Sequence, residues 1–246
     1  MSNTPVTTPT SIPRIILGST STLSGQTYLQ YLKPTLEKHF AGIRRLLFVP
    51  FARPGGISHQ EYTASAAVFF RTLSIEVDNL AAAADPLTAI HEAEAIFTGG
   101  GNTFLLVKQL HELGLISAIK ASVLGGTPYL GTSAGANIGG LTMGTTNDMP
   151  IVYPPSFETM GLVPFNINPH FISGRMAAHH MGETRETRIA EFLTQNSMPV
   201  VGLPEGSWIQ VNGTEVMLAG AAPATIFEKD KLPYDLEPGS LLNFQK

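Results

Sequence analysis

The chain has 246 residues, of which 43% are hydrophobic and 14% are charged, and its formal net charge at pH 7 is −4. This length and apolar content predict a buried core rather than a disordered chain. The basic residues form no run longer than Arg44-Arg45, which argues against a nucleic-acid partner, and the absence of cysteine excludes disulfides, thiolate metal sites and a cysteine nucleophile.

The N-terminal segment, residues 1–12, is rich in Thr, Ser and Pro and has neither the positive start nor the apolar stretch of a secretion signal. We therefore predict a flexible leader on a cytoplasmic protein. No segment approaches the roughly 20 apolar residues of a membrane span, so no membrane contact is expected. Because no linker or internal repeat follows, residues 13–246 are predicted to form a single domain.

The first half of the chain alternates short apolar runs with helical patterns. Strands are predicted at residues 14–18, 46–49, 95–97 and 128–130, and helices at residues 28–40, 58–73, 104–110 and 115–124. Ser58 and Glu61 have the spacing of a capping box, and Asp85-Pro86 predicts the start of another short helix. Strands that alternate with helices and are apolar on both faces predict a mostly parallel sheet with helices on both sides.

The second half begins with a Pro-rich segment, residues 149–169, that has few helical signals. A polar helix is predicted from Gly182 to about Gln195, and a buried strand at residues 198–203. Asn212-Gly213 lies between two strand-like segments and predicts a hairpin. The fold class is therefore α/β, with an antiparallel C-terminal edge on a mostly parallel sheet.

A serine flanked by glycines provides the first chemical signal. Residues 131–135 match the G-x-S-x-G motif and lie between an apolar strand and a helical segment. A sharp strand-to-helix turn would expose the Ser133 hydroxyl, although a serine that merely caps a helix would fit the same residues. The context favours a nucleophile, with the Ala134 N–H at the helix start as one half of an oxyanion hole.

A second glycine-rich segment, Gly99-Gly100-Gly101, follows the strand predicted at residues 95–97. Its N–H groups are not obstructed by side chains, so Gly100 or Gly101 could supply the other oxyanion donor. A plain flexible turn would also explain the segment. A phosphate cradle is the weaker alternative, because the spacing matches neither G-x-G-x-x-G nor a P-loop.

A serine nucleophile requires a base, and the chain has 7 histidines. Three of them lie on helical patterns and are predicted to be solvated surface residues: His39, His91 and His111. His59 lies in a first helical turn and His179-His180 in a loop. His170 follows a rigid proline at the end of an apolar segment, which favours it as the base, although a histidine buried for structural reasons would fit as well.

The imidazole of a serine hydrolase is oriented by a carboxylate. Asp148 and Glu205 are the two candidates. Glu205 follows the strand predicted at residues 198–203, at the carboxyl edge where parallel sheets gather their sites. An acidic turn residue would give the same pattern, and spacing does not choose between the two.

Six segments of the chain resemble the peptidase E family, in the same order and over nearly the whole chain after the leader. They are residues 99–104, 131–137, 145–152, 167–171, 182–186 and 202–206. The resemblance implies a flavodoxin-like three-layer sandwich of the class I glutamine amidotransferase type. It also implies a catalytic triad of Ser133, His170 and Glu205, with Asp148 near the site but outside the triad.

The family likeness further implies hydrolysis of dipeptides with an N-terminal aspartate through an acyl-enzyme, with no metal and no cofactor. A small peptide is then the expected partner of a monomer or homodimer, and Asn102 and Asp148 are expected to bind it. Thr132 departs from the family pattern, because the bacterial dipeptidases carry tryptophan there, so the pocket is expected to differ in shape. A related hydrolase of another amide, such as an isoaspartyl or cyanophycin-type bond, and a non-catalytic binding protein are the alternatives.

Selection of an aspartate side chain requires a cation, and arginine binds a carboxylate through two parallel hydrogen bonds. Arg185 is our candidate, because it lies near the start of a predicted helix, where a positive charge opposes the helix dipole. A surface ion pair with Glu183 or Glu186 would explain it equally well. Arg175 and Arg188 are further candidates.

Overall fold

The computed structural model describes residues 12–173 and 183–244. The predicted leader therefore lies outside the described residues except for its last position. Arg175 and His179-His180 also lie outside them.

The described residues form strands and helices that alternate along the first half of the chain. The strands are β1 Arg14–Gly18, β2 Arg45–Val49, β3 Glu76–Asn79, β4 Ile96–Thr98, β5 Tyr129–Thr132, β6 Asn166–Pro169, β7 Val200–Leu203, β8 Ser207–Asn212, β9 Glu215–Gly220, β10 Ala224–Phe227 and β11 Tyr234–Leu236. The α-helices are α1 Lys33–His39, α2 His59–Arg71, α3 Pro86–His91, α4 Thr103–Glu112, α5 Leu115–Leu124, α6 Ala134–Asn137 and α7 Arg185–Gln195. Short 3-10 turns lie at Gln30–Leu32 and Leu80–Ala82.

The central sheet has the strand order β3-β2-β4-β5-β1-β8-β9. Strands β3, β2, β4, β5 and β1 pair in parallel, whereas β8 is antiparallel to β1 and β9 is antiparallel to β8. The predicted sheet with an antiparallel edge is confirmed.

The predicted hairpin forms between β8 and β9, with its loop shifted by one residue. Asn212 pairs with Glu215, so the loop is Gly213-Thr214 rather than Asn212-Gly213. Gly213 has a φ of 62°, as the first residue of a type II′ turn requires.

Alternate residues of the parallel strands face two separate cores, as in a sheet that is covered on both sides. In β1, Ile15 and Leu17 pack into one core and Ile16 packs into the other. Helices α3, α4 and α5 contribute to the first core, and α1 and α2 contribute to the second. These helix–sheet–helix layers confirm the predicted three-layer sandwich.

A second sheet, with the strand order β11-β10-β7-β6, is absent from the sequence prediction. Its strand β6 ends the Pro-rich segment, where the prolines obscure the strand pattern. The strand predicted at residues 198–203 forms as β7, but it pairs with β6 and β10 and not with the central sheet. Helix α7 packs on this second sheet through Ile189 and Leu193.

Strand β3 is also missing from the sequence prediction. Its sequence, Glu-Val-Asp-Asn, contains a single apolar residue, and it lies at the edge of the central sheet. An edge strand is less buried than a central one, so it lacks the apolar run by which the other parallel strands are identified.

The predicted helix caps are confirmed. The Ser58 hydroxyl accepts from the Glu61 N–H at 3.1 Å, and the Glu61 carboxylate accepts from the Ser58 N–H at 2.7 Å. Asp85 caps α3. The helix predicted from residue 28 begins instead as a 3-10 turn and becomes α1 at Lys33, because Pro34 lacks an N–H and fits only the first turn of an α-helix.

Among the described residues, no helix is long and apolar enough to cross a membrane. Nor does that part of the chain bring together three or more His, Asp or Glu side chains that could hold a metal ion.

The prediction that His39 is solvated is wrong. Its side chain is half-buried at the end of α1, and its Nε2 lies 3.1 Å from the carbonyl oxygen of Tyr129. Because a carbonyl oxygen only accepts, Nε2 carries the proton. Burial, with a smaller contribution from the charge of Arg14, lowers the pKa of His39 to about 4.

The other two histidines predicted on the surface differ from each other. His91 is exposed, as predicted. His111 is half-buried, and its Nε2 lies 2.9 Å from the carbonyl oxygen of Glu158. A helical pattern therefore does not by itself place a histidine in solvent.

We predict that His39 makes the fold sensitive to acid. Its pKa of about 4 in the folded chain lies below the ordinary 6.5, so protonation favours the unfolded chain. This contribution is complete above about pH 6.5 and is lost as the pH falls toward 4, by at most about 3 kcal/mol. Urea unfolding from pH 7 to pH 4 should therefore show a shallower loss of stability in His39→Gln. The exposed His91→Gln is the control and should retain the wild-type slope; equal slopes in the two variants would contradict the assignment.

Candidate active site

Ser133 lies in the turn that joins β5 to α6. Its backbone has φ 55° and ψ −112°, which a residue with a side chain rarely adopts. The turn is so tight that a side chain at Gly131 would collide with the carbonyl of Gly135, and one at Gly135 with the carbonyl of Thr98. The Ser133 N–H donates to the carbonyl oxygen of Gly18 at 3.0 Å. This strained turn holds a half-buried serine at the carboxyl end of the central sheet.

His170 faces Ser133 from the second sheet. Its Nε2 lies 2.9 Å from Ser133 Oγ, and its Nδ1 lies 2.7 Å from Glu205 Oε1. His170 follows β6 and Glu205 follows β7, and these parallel neighbours bring both residues to one edge. A carboxylate only accepts, so Nδ1 carries the proton and Nε2 is left to accept the proton of the serine. The three side chains form one continuous series of hydrogen bonds.

The site is open to solvent on the side of Glu205. The His170 side chain is 35% exposed and that of Glu205 is 51% exposed. Solvent therefore weakens the Coulombic attraction between the two groups. The hydrogen bond acts chiefly by fixing the orientation and the tautomer of the imidazole.

A buried serine ties the two sheets together beside these side chains. Ser19 directly follows β1 and is fully buried; its Oγ donates to the carbonyl oxygen of Leu203 and accepts from the His170 N–H, both at 2.8 Å. His170 has a positive φ of 54°, so its backbone also requires support from its surroundings. Ser19 is not predicted from the sequence, in which its only signal is a polar residue directly after an apolar strand.

The glycine-rich segment lies against the serine. A side chain at Gly100 would come within 2.9 Å of Ser133 Cβ and 3.4 Å of its Oγ. Gly101 has a φ of 146°, and a side chain there would collide with the carbonyl of Ala52. Within residues 12–173 and 183–244, the N–H groups of Gly100, Gly101 and Ala134 have no hydrogen-bond acceptor. These amides are free to donate to an anion.

Asp148 and Asn102 lie on a neighbouring loop and make internal hydrogen bonds. Asp148 Oδ2 accepts from the N–H and the hydroxyl of Thr103, at 2.7 and 2.6 Å, and from the Thr146 hydroxyl at 3.1 Å. Asn102 caps α4 and donates to the carbonyl oxygen of Met149 at 2.9 Å. The two side chains fasten residues 146–149 to the start of α4, and the carboxylate that contacts the imidazole is Glu205 rather than Asp148.

Arg185 is the first residue of α7 and is half-buried. Burial lowers the pKa of its guanidinium, and the charge of Glu205 acts in the opposite direction. Its Nη1 is buried and has no hydrogen-bond partner in the described part of the chain. Glu183, one of the partners considered for a surface ion pair, lies 3.8 Å from Arg188 instead.

Thr132, where a change in the shape of the pocket was expected, is fully buried. Its side chain therefore contributes no exposed surface to the site.

Known proteins resemble this chain over most of its length. The sequence model of peptidase family S51 matches residues 15–219. The chain is 44% identical over 229 residues to "Peptidase E" of Streptomyces coelicolor, covering 93% of each chain. It is 41% identical over 237 residues to "Probable alpha-aspartyl dipeptidase" of Drosophila melanogaster, covering 95% of this chain and 98% of that one. The crystal structure of a peptidase from an acI-B1 actinobacterium superposes with a TM-score of 0.70 at 18% identity, over 96% of this chain and 98% of that one, and so shares the fold.

We predict that Ser19 controls the reactivity of Ser133. Ser19→Ala removes the bonds to Leu203 and His170 and frees the backbone that carries the base. Labelling of Ser133 by a fluorophosphonate should slow by about tenfold, as expected when a base loses its alignment. The rate is measured by mass spectrometry of the intact protein.

Ser207→Ala is the matched control. Ser207 is also fully buried, and its hydroxyl donates to the carbonyl oxygen of Ala222 at 2.7 Å and accepts from the Ala222 N–H at 3.1 Å. Both variants lose the same kinds of bond, each worth about 1 kcal/mol. Equal labelling rates in the two variants would show that Ser19 acts only on stability.

Proposed function

Because the chain belongs to peptidase family S51, we propose that it is a serine dipeptidase that hydrolyses dipeptides with an N-terminal aspartate. The hydrogen-bonded series of Ser133, His170 and Glu205 is the observation that carries this proposal. The names of the relatives, peptidase E and alpha-aspartyl dipeptidase, support the substrate class.

The proposed reaction begins when Ser133 Oγ attacks the carbonyl carbon of the peptide bond. His170 Nε2 takes the hydroxyl proton, and the carbonyl oxygen becomes negatively charged. His170 then gives the proton to the leaving amine as the C–N bond breaks, which leaves an aspartyl ester on the serine. A water molecule then gives a proton to His170 and attacks this ester, and as the bond to Ser133 Oγ breaks, His170 returns the proton to Oγ and aspartate is released. Glu205 holds the imidazole in the required tautomer throughout.

The developing negative charge is assigned to the free amides beside the serine. One donor is the N–H of Ala134, the first residue of α6. The other is the N–H of Gly100 or Gly101, in the glycine-rich segment. Each such donor typically lowers the barrier by about 3 kcal/mol. Since these are backbone groups in tight turns, they need little reorganisation during the reaction.

Arg185 is proposed to bind the side chain of the substrate aspartate. A buried guanidinium nitrogen without an acceptor costs free energy, which a bound carboxylate would offset through a charge-assisted hydrogen bond. The nearby charge of Glu205 stabilises the guanidinium. The Glu205 carboxylate would repel the carboxylate of the substrate aspartate. The substrate side chain is therefore expected to lie against Arg185 and away from Glu205.

Asp148 and Asn102 are proposed as substrate-binding residues through the loop that they hold. In that loop Asn147 donates to the carbonyl oxygen of Pro169 at 2.7 Å, directly before His170. Asp148 Oδ1 makes no hydrogen bond with the described residues, whereas Oδ2 accepts three. Its free oxygen suits the α-ammonium group that every dipeptide carries.

We further propose that residues 13–246 act as one catalytic domain, as a monomer or homodimer in the cytoplasm. The support for one domain is that Ser133 follows a strand of the central sheet, whereas His170 and Glu205 follow strands of the second. Neither sheet would carry a complete site alone.

For the triad we predict that Glu205→Gln lowers kcat by more than about 100-fold, because the amide can stabilise the wrong imidazole tautomer. Asp148→Asn keeps the fold of its loop and should lower kcat by less than about tenfold. Both are measured on an Asp-X dipeptide at equal stability, judged by urea unfolding. The reverse order of the two losses would overturn the assignment of Glu205.

For the substrate we predict turnover of Asp-X dipeptides and little turnover of Glu-X, Asn-X or simple esters. Arg185→Met should lower kcat/KM on Asp-X by about 100-fold or more, because a charge-assisted bond to the substrate is lost. Ester hydrolysis should change far less. Arg188→Met, from the same helix, is the control.

Absence of Asp-X turnover by the wild-type protein would remove the dipeptidase proposal. Turnover of another amide, such as an isoaspartyl bond, would favour the related hydrolase, and failure of a fluorophosphonate to label Ser133 would favour a binding protein. An equal loss on Asp-X and on esters in Arg185→Met would remove only the assigned role of the arginine.

A further inference from the structure

A tyrosine outside the triad contacts the glycine-rich segment that lies against Ser133. Tyr62, in the second turn of α2, is 3% exposed, and its hydroxyl donates to the carbonyl oxygen of Gly100 at 3.0 Å. A side chain at Gly99 would collide with this hydroxyl, so the glycine permits the close approach. The capped start of α2 therefore reaches the loop that carries the candidate oxyanion donors.

The tyrosine ring is held firmly in place. It packs edge-on against Phe48, with ring centroids 4.9 Å apart and an interplanar angle of 82°. The guanidinium of Arg53, an exposed residue, lies over the ring at 4.5 Å from its centroid. Burial raises the pKa of Tyr62, so the hydroxyl stays protonated and acts as a donor.

The bond to Gly100 also fixes the next amide. In a trans peptide the C=O of one residue and the N–H of the next point in opposite directions. Since the Gly100 carbonyl points to Tyr62, the Gly101 N–H points away from α2. The following amide, Asn102 N–H, is already used, because it donates to the carbonyl oxygen of Ala52 at 2.7 Å.

We propose that Tyr62 is a positioning residue, which turns the Gly100–Gly101 peptide so that the Gly101 N–H faces the oxyanion beside Ala134 N–H. This inference rests on the proposed serine hydrolase function. It accounts for the closeness of Gly100 to Ser133 and for the free N–H of Gly101 within the described residues. A polar group on α2 thus acts on the reaction without touching the substrate.

Tyr62→Phe tests the proposal, because it removes the hydroxyl and keeps the ring. Loss of a whole oxyanion donor lowers kcat by about 100-fold to 1000-fold, so loss of its orientation should lower kcat by about tenfold or more. The donor acts on the transition state, so KM for an Asp-X dipeptide and inhibition by free aspartate should change by less than about twofold. An aldehyde analogue of aspartate adds to Ser133 Oγ as a hemiacetal, and its inhibition should weaken by the same factor as kcat.

Tyr129→Phe is the matched control. Its hydroxyl is also fully buried and donates to a glycine carbonyl, that of Gly135, at 3.0 Å. The amide of that peptide, Ala136 N–H, is already held by the Ser133 carbonyl at 3.0 Å, so it is no oxyanion donor. Both variants should lose similar stability, but the control should keep kcat within about twofold. Equal kcat values in the two variants, or a parallel loss of aspartate binding in Tyr62→Phe, would overturn the positioning role.

A second measurement does not depend on the substrate or on the folding of the variant. The phosphonylated Ser133 adduct carries an oxygen in the place of the oxyanion. In wild-type protein labelled with nitrogen-15, the Gly101 amide proton should move downfield when the adduct forms, and an unmoved signal would overturn the proposal. Wild-type protein that forms the adduct but does not cleave Asp-X would instead remove the dipeptidase function and leave this inference standing.

Discussion

The hydrogen bond between Ser133 and His170 joins two sheets, and the candidate site depends on it. The serine follows β5 of the central sheet, and the histidine follows β6 of the smaller one. A separation of 2.9 Å between Oγ and Nε2 leaves little room for one sheet to slide on the other. Ser19 meets this constraint, because it directly follows β1 and bonds both to His170, which follows β6, and to Leu203, which ends β7.

Backbone strain is the second requirement of this arrangement. Ser133 and His170 both have positive φ, and each such residue costs about 1 to 3 kcal/mol. Locally, the Ser133 N–H donates to the Gly18 carbonyl oxygen and the His170 N–H donates to the Ser19 hydroxyl. More widely, the two cores that cover the central sheet offset the cost. The large core makes the scaffold stiff, and the stiffness keeps the two side chains in line.

The sequence predicts those features that depend on local patterns. Buried parallel strands such as β1 are visible as short apolar runs, and the capping box at Ser58 and the strained turn at Ser133 have characteristic residue types. Edge strand β3 and the second sheet are not visible, because their residues pair over long distances or lie among prolines. Spacing alone leaves Asp148 and Glu205 equal, and only the family resemblance favours Glu205, since it is the parallel pairing of β6 and β7 that brings this residue to the imidazole.

Polar residues that act through the backbone are the hardest to predict. Ser19 and Tyr62 each donate to a main-chain carbonyl, and neither belongs to a recognisable motif. His39 is equally hard to predict: its helical pattern suggests exposure, but its ring contacts the main-chain carbonyl of Tyr129. Such roles depend on which strand end or loop lies opposite, and that is decided by the tertiary structure.

The separation of the linked residues along the chain has a consequence for biosynthesis. Ser19 is 151 residues from His170 and 184 from Leu203, so these contacts close late, after most of the polypeptide has been made. A nascent or truncated chain that contains Ser133 but lacks His170 would have a nucleophile without its base and would be chemically inert. The proposed hydrolysis would then begin only once both sheets have assembled.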